Sequence, residues 1–210
     1  MSLVEALEVD LTISCEVFPP RDAQGLYDLD ATLEEFADLR PDFISVTYGA
    51  GGTGRGKTVE TIRRIVDRTG IPVVGHLTGT GETRQSVRDL ISEYEQAGIQ
   101  AVLALAGDPN PDLPDGEFRY ATDLIRTIRE ASPVEIGVAA FPEVHPRSRS
   151  THDDRRYLAR KLEAADFGVT QFFFDERDYW RMVDSLSDWN CSRPVIPGVM
   201  VVANPVKVRQ

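Results

Sequence analysis

Polar side chains that can exchange protons or bind an organic ligand recur along this chain at one kind of position. Each lies near the end of a short apolar run or just after it. They are Glu16, Thr47, His76, Asp108, Glu143, His145 and Gln171. Carboxylates and imidazoles donate and accept protons in general acid–base catalysis. Their recurrence at equivalent positions indicates an active site if the fold brings those positions together.

The apolar runs themselves are rich in β-branched residues, and there are seven of them. They cover residues 12–18, 42–48, 72–78, 101–107, 135–141, 169–174 and 194–202. Helical spacing of apolar residues lies between the runs, in residues 26–39, 57–69, 83–97, 118–131, 152–165 and 176–189. This alternation predicts βα units in a parallel sheet.

We predict that these units form one α/β domain over residues 1–210, of the (β/α)8 TIM-barrel type. Seven strands are present, and the eighth βα unit is missing from the chain. In such a barrel the strand ends open onto one face, where the active site is built. A doubly wound sheet is the competing architecture. The barrel is favoured because polar residues mark nearly every strand end rather than a single crevice.

Composition is that of an ordinary soluble globular protein, with 41% hydrophobic and 27% charged residues. No apolar stretch is long enough for a membrane helix, and the first residues lack the basic head of a secretory signal. Cys15 and Cys191 form neither a disulfide framework nor a zinc ligand set. These features predict a reduced, cytoplasmic setting without a membrane. The net charge of −11 disfavours nucleic acid as a partner.

One segment, residues 145–161, is basic against this trend, with a local balance of +4. Its cationic residues are Arg147, Arg149, Arg155, Arg156, Arg160 and Lys161. Two interpretations stay open: a solvated helix face, or an anion site for a phosphorylated cofactor.

A competing function is suggested by Gly51–Thr58, which reads GGTGRGKT and fits the phosphate-binding pattern G-x-x-x-x-G-K-[ST]. A P-loop ATPase would use Lys57 and Thr58 on phosphate and magnesium, with FFFDE at 172–176 as a second signal. Such a loop normally follows the first strand, whereas a complete unit precedes this one. The ATPase interpretation also gives Glu16 and His76 no role, and the alternative is a flexible glycine-rich loop over a barrel mouth.

Six fragments in order resemble one known family, the flavin-dependent bacterial methylenetetrahydrofolate reductases. The fragments are SCEVFPPR (14–21), SVTYGAGG (45–52), GHLT (75–78), LAGDP (105–109), AAFPEVHP (139–146) and TQFFFD (170–175). The resemblance runs from about residue 12 to residue 204, nearly the whole chain.

The resemblance implies an oxidoreductase that binds FAD across the barrel mouth and uses NADH or NADPH to reduce 5,10-methylenetetrahydrofolate to 5-methyltetrahydrofolate. Glu16 is implied as the general acid that protonates the leaving nitrogen, helped by apolar burial that raises its pKa. Asp108 and Gln171 are the implied folate contacts, and no metal is implied. The implied flavin contacts are Thr47, Tyr48, Ala50, His76, Gly107, Asp108, Ala121, Phe141, His145, Asp154, Arg160 and Lys161.

The chain departs from the family pattern at several points. Ala106 stands where the family usually has arginine, and Phe141 stands where it usually has tyrosine. Residues 161–171 are one residue short, and Lys207 stands where a folate-binding glutamine is expected. With the eighth unit missing, we expect a homo-oligomer or a partner to cover the open barrel edge. A non-catalytic remnant that binds flavin or a partner is the other alternative.

Overall fold

The computed structural model describes residues 2–9, 11–48, 55–108 and 110–200. Their strands are β1 Ser14–Val17, β2 Phe43–Val46, β3 Val73–Thr78, β4 Ala101–Leu105, β5 Glu135–Ala140, β6 Phe167–Thr170 and β7 Val195–Ile196. Their helices are α1 Leu3–Val9, α2 Ala23–Leu39, α3 Arg55–Thr69, α4 Arg84–Ala97, α5 Ala121–Ala131, α6 Thr151–Ala164 and α7 Glu176–Ser187. Within these residues, no helix is both long and apolar enough to cross a membrane.

The seven strands form one parallel sheet in which each strand pairs with its neighbours in chain order, from β1 to β7. A doubly wound sheet would reverse its strand order at a switch point, and this sheet has no reversal. The TIM-barrel type fold with seven strands is therefore confirmed. Among the described residues, β1 pairs only with β2 and β7 only with β6.

Helix ends coincide with side chains that cap them. Thr83 and Ser86 form a reciprocal capping box at the start of α4, and Gly98 ends that helix with a φ of 89°. The Ser150 hydroxyl accepts from the Asp153 amide at the start of α6. These caps fix where the loops after β3 and β5 end and where α4 and α6 begin.

All seven strands are shorter than their predicted runs, and β6 and β7 differ most from them. β6 is Phe167–Thr170 rather than 169–174, because its partner β5 ends at Ala140 and the last ladder bond joins the Gln171 amide to the Ala140 carbonyl. Residues 172–174 consequently lie beyond the strand. β7 ends at Ile196, since Pro197 has no N–H to donate; the end of its predicted run, 201–202, lies outside the described residues.

Helix α1 was indicated by no pattern in the sequence. The Leu3 and Val4 amides donate to the Glu135 carboxylate at 2.8 and 3.3 Å, which fixes α1 at the amino-terminal end of β5. Leu3 is buried there against an apolar cluster that includes Phe43 and Phe167. This helix therefore covers the end of the barrel opposite the predicted active-site face.

A glycine inside the barrel leaves space for a buried ring. A Cβ on Gly137 would lie 2.4 Å from Cε2 of Phe167, a fully buried residue. We expect Gly137→Ala to lower the free energy of unfolding by about 1–3 kcal/mol through overpacking. Urea unfolding measures it, with Gly56→Ala as control, because nothing lies within 4 Å of a Cβ there. Equal stability of Gly137→Ala and the unsubstituted protein would contradict this packing.

Candidate active site

A carboxylate and an imidazole lie together on the inner face of the curled sheet. Their neighbours Val17 and Leu77 pack in the core that faces the helices. Side chains alternate along a strand, so Glu16 on β1 and His76 on β3 point into the barrel. Glu16 Oε2 lies 3.6 Å from His76 Nε2. Sequence-predicted residues from two non-adjacent strands are thus brought within reach of each other.

The His76 ring is buried, and its Nε2 has no hydrogen-bond partner among the described residues. The 3.6 Å separation from Glu16 is too long for a hydrogen bond. Burial lowers the pKa of His76 to about 4, and burial also raises the pKa of Glu16. Near neutral pH the imidazole is therefore uncharged, and it presents a buried nitrogen that a ligand could satisfy.

The His76 backbone is held from the helix side. The Tyr94 hydroxyl on α4 donates to the His76 carbonyl at 2.7 Å, and Tyr94 is fully buried. Gly75 makes room for that ring, since a Cβ at Gly75 would lie 2.7 Å from Cε2 of Tyr94. This hydrogen bond fixes the position of the His76 backbone along the barrel axis.

The β4–α5 loop (residues 106–120) begins with a turn that requires glycine. Gly107 has a φ of 81°, and a Cβ there would lie 2.1 Å from the hydroxyl oxygens of both Thr78 and Thr80. The Thr80 hydroxyl donates to the carbonyls of Ala106 and Asp108 at 3.2 and 3.1 Å. The loop is therefore packed directly on the end of β3, and the Asp108 side chain is exposed.

The β5–α6 loop (residues 141–150) brings another aromatic and another imidazole to this end of the sheet. The Phe141 and His145 rings meet edge to face, with centroids 4.4 Å apart. Burial is the main cause that lowers the pKa of His145, followed by the nearby charges of Arg147 and Lys161. The Arg147 guanidinium pairs with the Asp108 carboxylate at 2.5 Å. A cation therefore lies beside Asp108, although position 106 has alanine where the family usually has arginine.

Helix α6 divides the basic segment between two environments. The Lys161 ammonium is turned toward the sheet and donates to the Ala139 carbonyl at 2.7 Å. Burial lowers its pKa to about 8. Arg155 is also buried, whereas Arg160 is exposed. The basic segment is therefore not one solvated helix face, because Arg155 and Lys161 both donate to backbone carbonyls.

The remaining predicted contacts are spread around the same face. The Tyr48 hydroxyl donates to Glu82 at 2.8 Å, and burial raises its pKa. Thr47 extends the β1–β2 ladder through its amide, which donates to the Val17 carbonyl. Gln171 follows β6 with an exposed side chain, while Ala121 opens α5. Ala50 lies outside the described residues.

The groups that suggested a P-loop have other contacts. The Lys57 ammonium donates to the Arg21 carbonyl at 2.9 Å, and the Thr58 hydroxyl donates to the Thr47 carbonyl at 3.3 Å. Asp175 is the N-cap of α7 and pairs with Arg177 rather than ending a strand. Residues 51–54 of the motif lie outside the described residues.

Sequence reasoning assigned no individual role to Arg155 or Tyr94. Arg155 is one of six cations in the basic segment, and a cation on an amphipathic helix is usually solvated. Tyr94 was one of the apolar positions of its helix, so the hydrogen bond from its hydroxyl had no sequence signal. Both roles depend on contacts with another element, which local patterns do not contain.

The strand order and the interior carboxyl–imidazole pair define a (β/α)-barrel enzyme. A model of the methylenetetrahydrofolate reductase family matches residues 3–210. The 5,10-methylenetetrahydrofolate reductase of Salmonella typhimurium is 37% identical over 204 residues, which cover 97% of this chain and 68% of the relative. The 5,10-methylenetetrahydrofolate reductase of Buchnera aphidicola is 33% identical over 211 residues, which cover 99% of this chain and 71% of the relative. The chain belongs to the methylenetetrahydrofolate reductase family, which is a family of oxidoreductases.

Solved structures agree on the architecture. Dihydrodipicolinate synthase from Agrobacterium tumefaciens matches with a TM-score of 0.60 at 15% identity, covering 94% of this chain and 72% of that one. At this identity the likeness concerns the fold alone.

Proposed function

We propose that this protein reduces 5,10-methylenetetrahydrofolate to 5-methyltetrahydrofolate with NADH or NADPH, using bound FAD. The observation that carries the proposal is the unsatisfied Nε2 of buried His76 beside Glu16, inside a barrel of this family. A buried polar atom without a partner is rare in a folded protein, and a ligand at the barrel mouth would satisfy it.

The residues of the mouth fit a flavin. His76 offers a ring nitrogen, and Phe141 with His145 offers an aromatic wall. Gly107 lets the β4–α5 loop pack closely on the end of β3, which holds that loop at the mouth. Bound FAD would supply hydride transfer, which no side chain of this protein can perform. The complete proposed flavin set is Thr47, Tyr48, Ala50, His76, Gly107, Asp108, Ala121, Phe141, His145, Asp154, Arg160 and Lys161.

Glu16 would supply the proton of the reaction. Folate's bridging carbon accepts hydride only after its five-membered ring opens, and the departing nitrogen needs an acid. Burial raises the pKa of Glu16, which favours the protonated form, and 41% of its side chain remains exposed for contact with substrate. The lowered pKa of His76 keeps the imidazole uncharged. No cation therefore lies beside Glu16 at that position to favour loss of its proton.

Substrate and phosphate contacts would come from the loops and from α6. Asp108 follows β4 and Gln171 follows β6, and both have exposed side chains that would bind folate. Arg160 and Lys161 would face the anionic part of FAD, and Lys161 is already directed toward β5. We also propose a cytoplasmic location, and a second copy or another chain packed on β1 and β7, each of which pairs on one side only within the described part of the chain.

Flavin binding is tested by titrating the protein with FAD and recording its absorption spectrum. We expect Gly107→Ala to raise the Kd for FAD at least about tenfold, because its Cβ would displace Thr78 and Thr80 at the mouth. Gly70→Ala is the matched control, since Gly70 also has a positive φ, 65°, but nothing lies within 4 Å of its Cβ.

A protein that takes up no FAD would overturn the proposal. FAD binding without turnover would instead identify a non-catalytic remnant of the family. ATP hydrolysis that is lost in Lys57→Ala would support the P-loop alternative.

A further inference from the structure

We propose that Arg155 is a positioning residue that locks the β5–α6 loop in the conformation that binds ligand. It would touch neither flavin nor folate. The part of this inference that concerns flavin rests on the proposed function, whereas the part that concerns the loop stands on the contacts of Arg155 alone.

The Arg155 guanidinium reaches back from the second turn of α6 to the start of the loop. One terminal nitrogen, Nη1, donates to the Phe141 carbonyl at 2.8 Å, and Nη2 donates to the Pro142 carbonyl at 2.6 Å. The side chain is only 6% exposed. The planar fork of arginine suits two adjacent carbonyls in this way, which lysine's single ammonium does not.

The neighbouring residue, Asp154, holds the other half of the loop. Its Oδ1 accepts from the His145 amide at 3.1 Å and from the Ser148 hydroxyl at 2.7 Å. Its Oδ2 accepts from Arg155 Nη1 at 2.8 Å. Two consecutive side chains of α6 therefore clamp residues 141–148 from both ends, and the ion pair joins the two clamps.

The clamped segment contains a strained residue. Val144 has a φ of 80°, a region that β-branched residues rarely adopt. Its amide donates at 3.2 Å to the Phe141 carbonyl, the same oxygen that Arg155 binds. Strained backbone persists only where surrounding contacts over-determine it. Arg155 supplies such a contact, and the turn at Val144 sets the edge-to-face arrangement of Phe141 and His145.

A purely stabilising role explains this residue poorly. The desolvation of a buried ion pair largely offsets its attraction, and apolar replacements of similar volume are often as stable. What an apolar side chain cannot do is bind the two carbonyls and the carboxylate at once. The buried pair therefore contributes a defined loop conformation more than it contributes stability.

The test compares Arg155→Met with Arg129→Met in the purified full chain. Arg129 makes the same kind of contacts at the opposite end of the sheet, donating to the Val134 carbonyl at 3.1 Å and pairing with Asp166. Hydrogen exchange of a peptide covering residues 141–150 reports on the loop, and FAD titration reports on the site. Urea unfolding measures the stability of both variants.

We expect Arg155→Met to lose exchange protection at residues 141–150 and to raise the Kd for FAD at least about tenfold. Arg129→Met should lose stability while keeping loop protection and FAD affinity. Arg155→Lys, which keeps the charge but not the fork, should fall between Arg155→Met and the unsubstituted protein in both measurements. It also replaces Arg155→Met in the comparison if the methionine variant does not fold.

Unchanged loop exchange in the Arg155 variants would overturn the inference, as would equal effects of the Arg129 and Arg155 substitutions on the loop. If the unsubstituted protein binds no FAD, the proposed function fails, and the exchange comparison still decides the role of Arg155.

Discussion

Replacing Glu16 by glutamine is expected to slow methylenetetrahydrofolate reduction by about 10²- to 10⁴-fold, the usual contribution of a general acid. Glutamine keeps the shape of the side chain and can still form hydrogen bonds, but it has no proton to give the departing nitrogen. Binding of FAD and its reduction by NADH or NADPH should change little, because neither needs this proton. The loss should therefore be confined to the folate step.

The pH dependence gives a second signature of Glu16. Since burial raises its pKa, the proton-donating form persists to higher pH than in an ordinary carboxyl group. The rate of the folate step should fall as pH rises through that raised pKa, and this limb should be missing in Glu16→Gln. Glu143→Gln is the matched control, because Glu143 is an exposed carboxylate in the β5–α6 loop. A full folate rate in Glu16→Gln would remove Glu16 from the mechanism.

Acidification is expected to destabilise the fold through His76 by about 2–3 kcal/mol between pH 6.5 and pH 4.5. Burial lowers the pKa of His76 from 6.5 to about 4 in the folded protein. In this window the unfolded imidazole binds a proton and the folded one does not, so falling pH favours unfolding. The stabilisation is fully present above pH 6.5 and is lost as the pH approaches 4.

Glu16 has the opposite effect on stability. Its pKa is raised in the folded protein, so the folded state binds a proton more readily than the unfolded state, and falling pH favours folding through this group. The comparison is therefore made in the Glu16→Gln background. Urea unfolding near pH 7 and pH 4.5 should show a smaller loss of stability in Glu16→Gln/His76→Asn than in Glu16→Gln. Equal losses in the two proteins would mean that His76 is not held neutral by burial.

The strand runs, together with the polar residues at their ends, were sufficient to predict the order of the sheet and the common face of those strand ends. Glu16 and His76 lie inside the barrel because side-chain direction has a period of two along any strand, a property that is local. Their separation of 3.6 Å depends on how β1, β2 and β3 curl. That curl is a tertiary property, which no single run specifies.

Other features had no local signal at all. Helix α1 is seven residues long and is held in place by Glu135, more than a hundred residues away in the chain. The buried position of Arg155 likewise depends on carbonyls that face it from another element. Residues 172–174 read as strand because they are apolar and aromatic, yet β5 ends before it can pair with them.

Our central proposal is that this protein reduces methylenetetrahydrofolate with NADH or NADPH, using bound FAD. Its most direct test is an anaerobic experiment in which FAD-loaded protein is bleached with NADH and then mixed with methylenetetrahydrofolate. We predict that the oxidised flavin absorption returns and that 5-methyltetrahydrofolate forms in proportion to it. Flavin that is bleached by NADH but stays reduced in the presence of methylenetetrahydrofolate would contradict the claim.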